Sequence, residues 1–362
     1  MASPNPDPPG LLLAILTPWL AEAVPDFDGS GPPECRLLAG GRSNVTYELV
    51  DASGRRFALR RPPLGHVMPK AHDMAREFRV LQGLGRVAFP VPGTHVLCED
   101  LDVIGAPFML MDFIDGRVIA HADDASLLTP QQADVVSGTL VGGLAALHRV
   151  DVAAAGLEEF GRPTGYLDRQ VGLWSRQWGN TKTRELPELD ELGRWLSQHV
   201  EDVPEGRPWS LVHGDYRLDN VILDPGLDRL RAVLDWEMST LGDPVADLAI
   251  MLVYWTQSDD SLRTSVPVAE GVTSAPGFWT RDRIVEEYVR ATGFDVDHLQ
   301  VCVALACYKL AVIMESIHFR SLAGQQMGAA ADGREDMGAA VDALARLGLA
   351  VAADGALAGL SS

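Results

Sequence analysis

The sequence predicts an α+β, two-lobed chain, with a small antiparallel-sheet lobe first and a mainly helical lobe after it. Three observations carry that expectation. Residues from about 35 to 118 read as short strands around one helix. Residues from about 130 onward are mostly helix-patterned. The length, 362 residues, exceeds what one hydrophobic core usually serves. The expected division is an N-terminal extension over 1–34, a first lobe over 35–112, a second over 113–350 and a tail over 351–362.

The elements follow in order. Met1–Gly10 is Pro-rich and carries Asp7 but no Lys or Arg. The apolar run Leu11–Leu16 is short and Pro18 follows it, so neither a secretory leader nor a membrane span is expected, and a cytoplasmic protein is. Thr17 as cap and Pro18 at the first helical position predict a short helix to Val24. Val45–Val50 and Arg56–Arg60 alternate like paired strands, joined by the turn Asp51-Ala-Ser-Gly54 and stopped by Pro62-Pro63. Met74, Phe78, Leu81 and Leu84 share one face of a helix over Ala71–Leu84. Phe108–Met111 is a short apolar strand. Beyond it, helices are expected at Gln131–Arg149, Leu189–Val200, Val245–Trp255, Arg281–Thr292 and Val301–Phe319, interrupted by strands at Leu211–His213, Val221–Leu223 and Ala232–Asp235. The Gly- and Ala-rich stretch from Ala323 reads as a final helix with a frayed end.

Composition narrows the function. Thirty Lys and Arg against fifty Asp and Glu give a net charge of −20. No basic patch stands out, which argues against nucleic acid or an anionic membrane as partner. A small-molecule substrate and a monomer or homodimer are expected. Cys35, Cys98, Cys302 and Cys307 are scattered, with no C-x-x-C pair to suggest a zinc site or disulfide framework.

The most informative segment is Leu211-Val-His-Gly-Asp-Tyr-Arg-Leu-Asp-Asn220, followed by Val233-Leu-Asp-Trp236. It reads H-x-D-x-x-x-x-N, then a second aspartate at the end of an apolar run. Phosphoryl transfer from ATP needs a carboxylate to take the acceptor's proton, and an amide oxygen and another carboxylate to hold Mg²⁺ against the phosphates. Asp215, Asn220 and Asp235 supply those groups in that order. Arg217, two residues after the base, is positioned to meet charge developing on the γ-phosphate, or is simply a loop-surface charge. His213 reads as a structural histidine.

With these motifs the chain resembles the aminoglycoside phosphotransferase and choline kinase family, which has the protein-kinase-like fold. The resemblance runs from about Leu37 to about Leu322. It implies ATP and Mg²⁺ as cofactors. Gly40-Gly-Arg-Ser-Asn44 then stands where a turn approaches the phosphates through Gly40 and Gly41, with Ser43 and Asn44 in contact; a Gly-Gly hairpin can equally be only a turn. Kinases of this fold carry a lysine where this chain has Arg60 and Arg61. Arg60 keeps the parity of Ala58 toward the nucleotide, and Arg61 is expected outward. The resemblance makes Glu77 the partner of that cation. It also makes a strand edge through Leu110–Phe113 the purine reader, through backbone near Met111 and Phe113. Asp243 and Asp247 are expected to brace the catalytic loop.

The acceptor is less legible. The Leu-Arg-Arg-Pro-Pro and Ala-His-Asp-Met-x-Arg-Glu-Phe stretches resemble kinase-like domains fused to acyl-CoA dehydrogenases, which implies a hydroxyacyl-CoA or related metabolite. Alternatives are an aminoglycoside-type antibiotic, a choline-like alcohol, or no catalysis at all in a nucleotide-binding homologue.

Overall fold

The computed structural model describes residues 7–38, 44–64, 73–204, 206–260, 271–322 and 337–361. These fall into two compact units, the first ending at Asp115 and the second beginning at Gly116. The expected α+β class holds, with an antiparallel sheet in the first unit and mostly helices in the second.

The first unit runs α1 (Leu13–Ala23), β1 (Glu34–Leu37), β2 (Val45–Val50), β3 (Arg56–Arg61), α2 (Met74–Arg86), β4 (Thr94–Cys98), α3 (Leu101–Ile104) and β5 (Phe108–Asp112). Its sheet has the order β1-β2-β3-β5-β4. The β2–β3 hairpin pairs Val45 with Arg61 and Val50 with Arg56. Its turn is held by Asp51, whose carboxylate accepts from the amides of Ser53 and Arg55 at 2.9 Å each. Gly54 completes the turn at φ 87°, a region that costs residues with a Cβ.

Side-chain alternation gives the sheet two faces. Tyr47, Leu49, Phe57, Leu59, Phe108 and Leu110 form a core with Leu16 and Leu20 of α1. Ala58 and Arg60 point the other way, where α2 lies. That helix is capped by Asp73, which accepts from the amide of Arg76. The expected start of the first helix is corrected: it begins at Leu13 and carries Pro18 inside. An interior proline costs about 3 kcal/mol. Burying Leu16 and Leu20 contributes about 1.5–3 kcal/mol each and outweighs it.

The second unit contains α4 (Ala122–Ser126), α5 (Pro130–His148), α6 (Tyr166–Thr181), α7 (Pro187–His199), β6 (Ser210–Val212), β7 (Val221–Leu223), β8 (Leu230–Val233), β9 (Thr240–Gly242), α8 (Pro244–Tyr254), α9 (Arg281–Thr292), α10 (Leu299–Leu322), α11 (Met337–Asp354) and α12 (Ala356–Leu360). Two short antiparallel pairs, β6–β9 and β7–β8, sit among the helices. The helix α6 and the strand β4 have no counterpart in the sequence expectation.

Helix α10 is long and apolar enough to cross a membrane, but 78% of its apolar window is buried inside the protein, as a core helix requires. Helix α11 packs beside it. Ala340, Val341, Leu344, Leu347 and Val351 are all buried. A Cβ on Gly348 would come within 2.3 Å of the Leu192 side chain. The small residues that made this stretch look like a frayed end let it pack closely.

Candidate active site

The second unit builds its site on the two short strand pairs. The loop from His213 to Asn220 leaves β6 and enters β7, and Asp235 follows β8. Because β7 and β8 are paired, Asn220 and Asp235 are brought together: the amide of Leu234 donates to the carbonyl of Asn220 at 2.8 Å. The Asn220 amide nitrogen donates to the Asp215 carbonyl at 2.9 Å and to its carboxylate at 3.2 Å. That commitment leaves the amide oxygen as the group offered to a cation. Asp235 adopts a left-handed backbone, φ 65° and ψ 61°.

The loop backbone is pinned by two buried charged side chains. The carboxylate of Asp247, in the first turn of α8, accepts from the amide of His213 at 2.5 Å and of Gly214 at 2.7 Å. The buried Lys309 of α10 donates to the Gly214 carbonyl. Gly214 has φ 85°, and a Cβ there would meet the Met238 carbonyl oxygen at 2.7 Å. His213 is the structural residue expected. One ring nitrogen meets the Leu234 carbonyl at 2.8 Å and the other accepts from the amide of Asp215 at 3.2 Å, which suits the neutral ring. Asp243 does not brace this loop. It caps α8 through the amide of Val245 and pairs with His298 at 2.7 Å.

Charges crowd the base. Arg217 donates to Asp215 at 3.2 Å and to Asp219 at 3.0 Å, and its guanidinium lies 4.8 Å from the Tyr254 ring centroid. It is therefore not a loose surface charge. Burial works against its cation, but Tyr254, Asp215, Asp219 and Asp235 outweigh that and raise its pKa. Burial pushes the Asp219 carboxyl up against the pull of Arg217. Burial, with the charge of Asp215 next, pushes the Tyr254 hydroxyl well above its ordinary value. Burial alone would raise Asp247, but His148 and the loop amides hold it below the usual carboxylate range. Burial lowers the Lys309 pKa, with Asp215 and Asp247 opposing.

The first unit holds the other predicted residues. Arg60 pairs with Glu77 at 3.0 Å, and the two side chains are only 11% and 3% exposed. Arg61 is not an outward charge. It is buried on the opposite face, where its guanidinium donates to the carbonyls of Gly10, Pro62 and Ile104. The segment Leu110–Phe113 is not a strand edge either. Strand β5 is interior, and Met111 is buried with Ala58 on one side and Thr94 on the other. Phe113 is the first residue beyond the strand, with the Arg56 guanidinium 3.8 Å from its ring centroid. Asn44 is buried at the start of β2. The calls on Gly40, Gly41 and Ser43 lie outside the described residues.

Asn220 and Asp235 offer two hard oxygen donors, which fits Mg²⁺. That ion takes one or two protein ligands and completes its shell with phosphate and water oxygens. Among the described residues no group of three or more His, Cys, Asp or Glu forms a protein-only cage. Sequence reasoning missed that Lys309 and Tyr254 reach the catalytic loop. Their signal was a polar residue interrupting an apolar helix, which does not say where the side chain ends.

Residues 34–297 match the model of the phosphotransferase enzyme family. The chain is 34% identical over 339 residues to acyl-CoA dehydrogenase family member 10 of Mus musculus, covering 91% of this chain and 30% of that protein. It is 34% identical over 316 residues to acyl-CoA dehydrogenase family member 11 of Gallus gallus, covering 84% and 39%. It thus spans about a third of the length of these curated relatives. A solved structure of a candidate aminoglycoside phosphotransferase from Ralstonia eutropha is similar at a TM-score of 0.75 and 31% identity, over 94% of this chain and 98% of that one.

Proposed function

The chain belongs to the phosphotransferase enzyme family, and we propose that it transfers the γ-phosphoryl group of ATP, with Mg²⁺, to the hydroxyl of a small organic acceptor. The observation that carries this is the Asp215–Asn220–Asp235 arrangement, held by the paired β7 and β8. Asp215 accepts the proton of the attacking hydroxyl. Asn220 and Asp235 hold the metal, which when bound neutralises charge on the phosphates. Arg60, oriented by Glu77, holds the α- and β-phosphates in place of the usual lysine. Arg217 meets the charge developing on the transferred group. Backbone at Phe113 meets the purine, and Asn44 belongs to the turn that covers the phosphates.

The acceptor in this reading is a hydroxyacyl-CoA or a related hydroxylated metabolite. The names of the two acyl-CoA dehydrogenase relatives support it. The aminoglycoside alternative is favoured by the likeness to the Ralstonia eutropha protein.

ADP release with Mg²⁺ and ATP, screened over hydroxyacyl-CoAs, choline, homoserine and aminoglycosides, tests the proposal. Asp215-dependent turnover of a hydroxyacyl-CoA is the expected result. Turnover of aminoglycosides alone would overturn the acceptor class. Absence of Asp215-dependent ADP release with every acceptor would leave a nucleotide-binding protein without transferase activity.

A further inference from the structure

Helix α10 is built almost wholly of apolar and small residues through its middle, yet it carries Lys309 there, only 9% exposed. The ammonium donates to the carbonyl of Gly214 and lies 5.7 Å from the Trp174 ring centroid. Among the described residues it forms no ion pair with a carboxylate. Burying an ammonium costs several kcal/mol, and a methionine of similar length would fill the space without that cost. A neutral carbonyl does not need a full charge opposite it. The charge is useful only for its effect on the loop that carries Asp215.

Resting on the phosphotransferase reading above, we propose that Lys309 is a positioning residue for Asp215. It fixes the Gly214–Asp215 peptide through its carbonyl. That peptide is held at its carbonyl by Lys309 and at its amide, the Asp215 N–H, by the His213 ring, while Asp247 holds the two peptides before it through the amides of His213 and Gly214. Gly214 is the hinge that would otherwise turn, since at φ 85° it has no Cβ to stop it. With the peptide fixed, the Asp215 amide stays on His213 and its carboxylate stays against Asn220. The contribution of Lys309 is the fixed geometry that proton abstraction demands.

The test uses Lys309→Met and Lys309→Arg in the full chain. The readout independent of any acceptor is amide hydrogen exchange. Lys309→Met should raise exchange in the peptide spanning His213–Asp215 at least tenfold and leave α10 protected. Unchanged exchange there overturns the proposal. With an accepted substrate, Lys309→Met should lower kcat about a hundredfold, leave Mg²⁺–ATP affinity within about twofold by calorimetry, and leave Tm level or higher, the kcat loss being of the size a small misplacement of a reacting group brings. Lys309→Arg should recover part of kcat. In an Asp215→Asn background, Lys309→Met should have little further effect, because both act on one step. A full hundredfold loss in that background, or a matching loss of nucleotide affinity, also overturns it. Should Lys309→Met not fold, Lys309→Arg decides: retained exchange protection at His213–Asp215 supports the proposal, and its loss with the fold intact defeats it. If wild type turns over no acceptor, the transferase reading falls while the exchange result still decides whether Lys309 holds the loop.

Discussion

Asp235 shows what one residue contributes and costs. A side chain with a Cβ in the left-handed region carries a penalty of roughly 1–2 kcal/mol, and such strain gathers where function requires it. Asp235→Gly should therefore leave stability within about 1 kcal/mol of wild type, since relief of strain is offset by the freer unfolded chain. Its Mg²⁺–ATP affinity should fall sharply. Thermal unfolding and calorimetry with and without Mg²⁺ measure the two effects. Asp215→Asn makes the complementary case, with kcat lower by about 10²–10⁴-fold and nucleotide binding kept, because the base acts on the acceptor's proton. A variant retaining a tenth of kcat would remove Asp215 from that role. These residues were legible because chemistry fixed their spacing along a short loop. Lys309 and Tyr254 were not, since helix packing brings them to the loop from distant sequence, and one chain carries no mark of such a contact.

Strand β3 makes the same point for an element. Its alternation correctly sent Arg60 and Arg61 to opposite faces, and the sequence placed Arg60 on the side of α2. The error was to assume water on the other side. Helix α1 and the turn before it cover that face, so Arg61 lies among carbonyls. The two arginines should fail differently. Arg60→Ala should raise KM for ATP, lower kcat and also lower Tm, because it takes the ion-pair partner from the buried Glu77 carboxylate, and Arg60→Lys should be intermediate. Arg61→Ala should leave KM for ATP nearly unchanged and destabilise by about 1–3 kcal/mol, because buried acceptors lose their donor. Steady-state kinetics beside denaturant melts of the three variants separates the outcomes. Elements with clear periodicity or caps, such as α5 and α9, lie within a residue of where the pattern put them. Helix α6 was missed because Gly165, in a left-handed conformation, stands at its N-cap in place of a side-chain cap.

At the scale of the molecule, the two-part architecture followed from the change of hydrophobic period along the chain, which is a global signal. How the elements of the second unit are fastened was hidden, because fastening depends on buried charge. Asp247 anchors β6, α5 and α8 through His213, Gly214 and His148. Its pKa is depressed from 3.8 in the folded protein. The stability it contributes is therefore fully present above that unfolded value and is lost as pH falls through the lower folded one. Asp247→Asn should be less stable than wild type by about 3 kcal/mol near neutral pH, the size expected for lost charge-assisted bonds. The gap should narrow steadily below about pH 4, as Asp247 of the unfolded chain takes its proton while the folded carboxyl still resists it. Denaturant melts from pH 7 to pH 3 measure it, and a gap independent of pH would assign the loss to packing instead.

The covering of the sheet by α1 has a practical consequence. The family match begins at residue 34, after α1 has ended. A chain shortened to that boundary would keep every proposed catalytic group. It would also strip Leu16 and Leu20 from the sheet and leave Tyr47, Leu49, Phe57 and Leu59 facing solvent. So large an apolar face favours self-association. Such a fragment should collect in inclusion bodies, and rescue by co-expressed residues 1–33 would show that the missing piece is a lid on the core.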